Sequence, residues 1–305
     1  MADLLMVGSV AYDTVETPHG RVEQALGGAA SYASVAASYF APARIVAVVG
    51  EDFNPAHLAF FRSRGVDLEG LQQVAGQTFH WSGRYEANMN ERTTLLTELN
   101  VFETFDPILP ASYRASEYVL LANIHPGLQL RVLEQMSRPR FVALDTMNLW
   151  IQIERDLLCE VIKQVDLILL NDEEAAMLTE ESNYLTAAKA LLELGPRAAV
   201  IKKGEHGAMM VTADGIFSLP GFPVETVTDP TGCGDCFAGG LIGYLAGCNR
   251  SDDAALRQAM VYGSVVASFN VEDFSLDRLR RLEADEVAAR YRDYRRLVWF
   301  DDSTS

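Results

Sequence analysis

Val227-Thr228-Asp229-Pro230-Thr231-Gly232-Cys233-Gly234-Asp235-Cys236-Phe237-Ala238-Gly239-Gly240-Leu241-Ile242-Gly243-Tyr244 decides how the rest of this 305-residue chain is read. The segment leaves an extended run and turns at Asp229-Pro230. It then sets two glycines and an acid, Gly232-Cys233-Gly234-Asp235, ahead of an apolar helix expected to start near Cys236. Glycines just before a helix let backbone N–H groups converge on one point, and the helix dipole adds partial positive charge there. That combination is an anion hole. A carboxylate at its rim cannot hold an anion, so Asp235 is read as the group that takes a proton from a hydroxyl attacking the bound anion. The plainer alternative is a glycine-rich turn whose Asp caps a helix.

Working outward, the chain alternates strands and helices. Leu4 to Val7 reads as a first strand, and the residues after it, Gly8-Ser9-Val10-Ala11-Tyr12-Asp13, lack the G-x-G-x-x-G of a dinucleotide fold. Asp13 is placed just past a strand end, where ligands of open α/β sheets bind. Gly27-Gly28 opens a helix of small residues through Phe40, Arg44 to Val49 is the next strand, and Asn54-Pro55 starts a helix to Arg64. Strands follow at 118–122, 141–144, 166–170, 198–201, 208–212 and 215–219, with helices at 127–136, 150–163, from Ser251, and along the surface from Leu276. Mostly apolar strands such as Asp166 to Leu170 are those of a parallel sheet buried on both faces. Two stretches differ. Thr14 to Leu26 is polar and turn-rich, and Gln77 to Val101 mixes aromatic and charged residues without helical period. They predict a small sheet of two inserted pieces that covers the site.

Composition bounds the function. Apolar content of 49% and charged content of 22% are those of a soluble globular protein with a sizeable core. A net charge of −17 argues against nucleic acid and anionic membrane as partners, because neutralising phosphates takes clustered Lys and Arg. It leaves room for a nucleotide held by a few N–H groups and a metal. A leaderless cytoplasmic protein is expected, since Met1-Ala2-Asp3-Leu4-Leu5 has no basic region and no run reaches membrane-spanning length. Four cysteines in a chain this long indicate a reducing compartment, and Cys233-x-x-Cys236 has no second pair or nearby His to complete a zinc set.

The central stretch, with Asp229 and Thr231 before it and a small-residue helix after it, resembles the second signature of the ribokinase, or PfkB-type, carbohydrate and nucleoside kinases, Asp-x-x-Gly-Ala-Gly-Asp. Cys233 stands where that family usually has Ala. The resemblance implies a single ribokinase-like α/β domain over 1–305, a central mostly parallel sheet with helices on both faces, and a β-sheet lid from insertions at about 14–26 and 77–102. It implies ATP-dependent transfer of the γ-phosphate to a primary alcohol of a sugar or nucleoside, with Asp235 as general base and the anion hole at Gly232, Cys233 and Gly234.

Other positions match family motifs one by one. Asn171-Asp172-Glu173-Glu174 matches Asn-x-x-Glu, which implies that Asn171 and Glu174 hold Mg²⁺ beside the phosphates; an acidic helix N-terminus is the simpler reading. Lys202-Lys203-Gly204-Glu205-His206-Gly207 implies a nucleotide loop in which Lys202, Gly204 and Gly207 approach ATP. Asp229 and the backbone of Thr231 fall where the family holds a monovalent cation, usually K⁺. Asp13, Gly27 and Gly28 match positions that grip sugar hydroxyls, and Asn123 follows a strand on the same side. The family's first signature expects Asn where this chain has Tyr32, which offers a flat ring and favours a nucleoside over a small furanose. A homodimer through the lid is expected because Phe79, Trp81, Tyr85 and Leu95 are too apolar for a solvated sheet. A nucleotide-dependent oxidoreductase is disfavoured by the missing fingerprint, and a nucleotide-sensing pseudokinase by the intact Asp235 and Asn171-x-x-Glu174.

Overall fold

The computed structural model describes residues 2–301. Its strands are, in chain order, β1 (Leu4–Val7), β2 (Ala11–Thr17), β3 (Gly20–Gly27), β4 (Ala43–Gly50), β5 (Asp67–Val74), β6 (His80–Tyr85), β7 (Arg92–Glu98), β8 (Tyr118–Leu121), β9 (Phe141–Asp145), β10 (Leu167–Asn171), β11 (Ala198–Lys202), β12 (Ala208–Thr212) and β13 (Gly215–Leu219). Nine form one sheet in the order β13-β12-β11-β10-β9-β8-β1-β4-β5, and four form a second, β3-β2-β6-β7. In the large sheet only β12 runs against its neighbours.

Strand alternation sorts the core to two sides of the large sheet. Leu4 and Met6 of β1 join a cluster with Ala33, Phe61, Leu241, Met260 and Tyr294. Leu5 and Val7 join the other, with Val132, Leu158, Leu178 and Leu191. The first side is tightest where helix Ala29–Ala37 meets helix Cys233–Cys248. A Cβ on Gly239 would lie 2.1 Å from the Ala33 carbonyl oxygen, so small residues are what allow these backbones to touch.

Several boundaries depart from the sequence expectation. The helix of the central stretch starts at Cys233 rather than near Cys236, so the glycine loop lies within its first turn. The expected helix over 150–163 is two, Asn148–Ile153 and Arg155–Ile162. Strand β5 has no counterpart among the strands expected from the sequence. It is a polar edge strand, Asp67-Leu68-Glu69-Gly70-Leu71-Gln72-Gln73-Val74, whose pairing with β4 supplies order that its own pattern does not. Asp13 lies inside β2, at the base of the small sheet, rather than in a loop after β1.

The small sheet is tied to the body at its ends. Thr17 Oγ1 donates to the Thr228 carbonyl at 3.0 Å, and Thr231 Oγ1 meets the Tyr85 hydroxyl at 3.3 Å. The turn between β6 and β7 brings Asn90 Oδ1 to 3.8 Å from where a Cβ on Gly204 would sit. This sheet thus spans from Asp13 to the Gly204 loop.

Candidate active site

Four neighbouring parallel strands deliver polar residues to one edge of the large sheet. Asn123 follows β8, Asp145 ends β9, Asn171 ends β10 and Lys202 ends β11. Asn171 and Lys202 are register partners, so their side chains emerge at the same level. Helix Cys233–Cys248 points its N-terminus at this edge. Because the helix begins at Cys233, the first-turn N–H groups of Gly234 and Asp235 have no intrahelical acceptor. Gly232, the residue before the helix, has φ 73°, a left-handed conformation that glycine adopts without strain.

Tyr32 lies directly beneath that glycine. A Cβ on Gly232 would fall 2.3 Å from the Cγ and Cδ1 of the Tyr32 ring. The ring is only 1% exposed, and its hydroxyl donates to Asp13 Oδ2 at 3.4 Å. This corrects the expectation of a flat surface for a substrate to stack on, because the ring has no open face. Tyr32 instead links Asp13 to Gly232 and the start of the helix Cys233–Cys248. Gly27 completes that corner: a Cβ there would lie 2.1 Å from the Asp13 carboxylate, so only glycine leaves the acid its place. Gly28, beside it, precedes the helix Ala29–Ala37.

Asp235 is half-buried in the helix's first turn, and among the described residues no donor hydrogen-bonds its carboxylate. Burial, then the negative charge of Asp145, push its carboxyl up to about 7, with Lys202 pulling the other way and Glu174 adding to the rise. Asp13 is also pushed up to about 7, by burial and by the charges of Asp229 and Asp235.

Asn171 and Glu174 form a reciprocal helix cap. Asn171 Oδ1 accepts from the Glu174 N–H at 2.7 Å, and Glu174 Oε2 accepts from the Asn171 N–H at 2.8 Å. The simpler reading of this string is therefore physically present, yet it leaves Glu174 Oε1 outside the cap. Burial pushes the Glu174 carboxyl up to about 7 against the opposing pull of Lys202. Gly204 and Gly207 border the turn between β11 and β12, with φ 53° and 88°; Glu205 and His206 between them are exposed.

Asp229 is fully buried, accepting from the Thr231 N–H at 2.9 Å and the Ser275 N–H at 3.0 Å. The Thr231 carbonyl accepts from Asn270 Nδ2 at 2.8 Å, while Asn270 Oδ1 is buried without a partner. Sequence reasoning missed Asn270, which carries no local signal, and Asp145, whose strand-end position was visible but whose partner Lys202 is far along the chain. Asn123 is engaged at both ends of its amide, donating to Met147 Sδ at 3.2 Å and accepting from Trp150 Nε1 at 2.9 Å. All four cysteines are free thiols, and burial pushes Cys233 up to about 11, so it stays protonated and acts as a small helix-start residue. Among the described residues no helix is long and apolar enough to cross a membrane.

The pfkB family carbohydrate kinase profile matches residues 1–278. A cytidine kinase of Thermococcus kodakarensis is 33% identical over 258 residues, 82% of this chain and 90% of that protein. Among solved structures, a putative ribokinase II from E. coli in complex with ATP and Mg²⁺ superposes with TM-score 0.78 at 17% identity, covering 96% of this chain and 100% of that one. The nucleoside kinase of Methanocaldococcus jannaschii superposes with TM-score 0.77 at 18% identity, covering 96% and 99%.

Proposed function

The chain belongs to the pfkB family of carbohydrate kinases, and we propose that it transfers the γ-phosphate of ATP to a primary alcohol of a sugar or nucleoside with Asp235 as general base. One observation carries the reading: an unpaired carboxylate, pushed up to about 7, stands in the same helix turn as free N–H groups behind Gly232-Cys233-Gly234. A base poised there removes the acceptor's proton as its oxygen reaches phosphorus. The N–H groups hold the transferred phosphoryl in place and stabilise its charge.

On the nucleotide side, the turn with Gly204 and Gly207 lets backbone approach ATP, and Lys202 and Asn171 edge the phosphates. Around Lys202 and Arg92 the acids Asp145, Glu174 and Asp235 are in excess, so ATP needs accompanying cations. Glu174 Oε1, outside its cap, and Asn171 fit a Mg²⁺ that keeps most of its ligands as water and phosphate. Such a metal neutralises phosphate charge when bound. Asp229 and the Thr231 backbone form a second cation position, where the orphaned Asn270 Oδ1 is an acceptor that K⁺ would satisfy. The small sheet above serves as a lid that keeps water from competing as acceptor.

Asp13, seated under Gly27, receives hydroxyls of the acceptor, with the Gly28 backbone beside it; Asn123, whose amide is taken up by Met147 and Trp150, would reach the acceptor only by giving up one of them. The cytidine kinase relative favours a nucleoside acceptor, a preference that now owes nothing to stacking on Tyr32. The test is ADP release from Mg·ATP across a panel of sugars, polyols and nucleosides. Acceptor-dependent release, strongest for a nucleoside, is expected. ATP binding without release for any acceptor would instead mark a sensing pseudokinase.

The lid also makes a prediction about assembly. Strand β7 is an unpaired edge exposed along its length, and two of its residues, Leu95 and Leu96, are 49% and 41% accessible, apolar side chains that a second copy of the lid would cover. A dimer mass by light scattering at micromolar concentration is expected, and Leu95→Lys should reduce it to the monomer. A monomeric wild type would refute the lid pairing.

A further inference from the structure

Lys202 donates to both carboxylate oxygens of Asp145, at 3.1 and 3.0 Å, and the two side chains are only 16% and 5% exposed. The pair bridges β9 and β11 across β10. Its location runs against ordinary electrostatics. A Cβ on Gly234 would lie 3.2 Å from Lys202 Nζ, so the ammonium presses on the first turn of helix Cys233–Cys248. That turn already presents the positive end of the helix dipole, where cations are disfavoured. A buried ion pair is a poor device for stability alone, since apolar residues of similar volume serve as well or better. The arrangement is explained if an anion belongs between the ammonium and the helix N–H groups.

Resting on the kinase reading above, we propose that Lys202 is a direct ligand of the transferred phosphoryl group and closes the anion hole from the sheet side. Asp145 is its positioning residue, holding the ammonium at Gly234 before nucleotide arrives. During transfer the acceptor O–H gives its proton to Asp235, and the acceptor oxygen bonds to the γ-phosphorus. The bond from that phosphorus to the bridging oxygen breaks, its electron pair leaving on ADP. Lys202 stays protonated throughout and opposes the charge on the phosphoryl oxygens. Burial alone would lower this ammonium, but Asp145 and Glu174 outweigh it and hold it above its ordinary value. The other charges facing it are Asp235 on the helix and, across the cleft near Asp235 and Glu174, Arg92 of β7.

Removing one partner of a buried pair can unfold a protein, so the test uses the double variant Lys202→Met/Asp145→Leu beside the single Asp145→Asn. ATP and ADP binding are measured calorimetrically without acceptor, which keeps the result independent of whether any alcohol is phosphorylated. Wild type is expected to prefer ATP over ADP, and the double variant to bind ADP normally while losing about 10-fold or more of that preference, the weight of one charge-assisted contact. Where turnover is measurable, the double variant should lose about 10²–10³-fold in kcat, as for removal of one anion-hole donor. Asp145→Asn should keep the ATP preference, lower kcat less, and move the acid limb of the pH profile downward, because Asp145 raises Asp235. A wild type indifferent to ATP over ADP, or a double variant with the wild-type preference, overturns the proposal. A wild type that prefers ATP yet phosphorylates nothing overturns the kinase reading instead.

Discussion

Asp235→Asn is expected to give a folded, ATP-binding protein whose turnover falls by about 10²–10⁴-fold, the usual weight of a general base. The side chain makes no hydrogen bond within the described residues, so the exchange of one oxygen for an amide removes no structural contact. The exchange does remove a proton acceptor from the helix turn proposed to hold the phosphoryl group. The pH profile makes the test specific. Only ionised Asp235 can accept the proton, and its carboxyl is pushed up to about 7 by burial and by Asp145. Wild-type kcat/KM should therefore climb as pH rises through about 7 and level off above it, and the residual rate of the Asn variant should lack that limb. Turnover near the wild-type level in purified Asp235→Asn, or an unchanged limb, would remove Asp235 from the mechanism.

How far each feature could be read from the sequence depends on how local its signal is. Strand β10 and strands β12 and β13 were legible because apolar runs between turn residues need no partner to be read. The order of motifs along the chain carried the fold class for the same reason. The helix start was misplaced by the glycines of 232–234, which are poor helix formers and look like a preceding turn. Contacts override that propensity: Tyr32 fills the space where a side chain on Gly232 would be, and Lys202 lies against Gly234. Strand β5 is not legible in the sequence because pairing with β4, not its own polar pattern, orders it. Tyr32 marks the limit most clearly. Its departure from the family pattern was visible, but whether the ring faced substrate or core depended on Asp13, Gly232 and the neighbouring helix, none adjacent in sequence. The Asp145–Lys202 pair, 57 positions apart, was hidden by the same distance.

Gly232→Ala is expected to lower kcat/KM by about 10²–10³-fold, comparable to losing an anion-hole donor. Two independent obstacles stand against the added methyl. The backbone at 232 has φ 73°, where an L-residue with a Cβ carries about 1–2 kcal/mol of strain. The methyl would also meet three atoms of the Tyr32 ring at 2.3 to 2.5 Å. Tyr32 cannot swing aside cheaply, being buried and tied through its hydroxyl to Asp13. Either the loop rises, carrying the Gly234 and Asp235 N–H groups off the phosphoryl position, or the ring shifts and takes Asp13 with it. The first route raises the apparent KM for ATP and lowers kcat; the second raises the KM for the acceptor. The double variant Gly232→Ala/Tyr32→Leu separates clash from strain. Shortening the ring should restore much of the thermal stability lost in the single variant, while activity stays low because the left-handed backbone is still occupied by Ala. Wild-type turnover in Gly232→Ala would mean that the loop does not need this conformation to hold the phosphoryl group, and the anion hole would have to lie elsewhere.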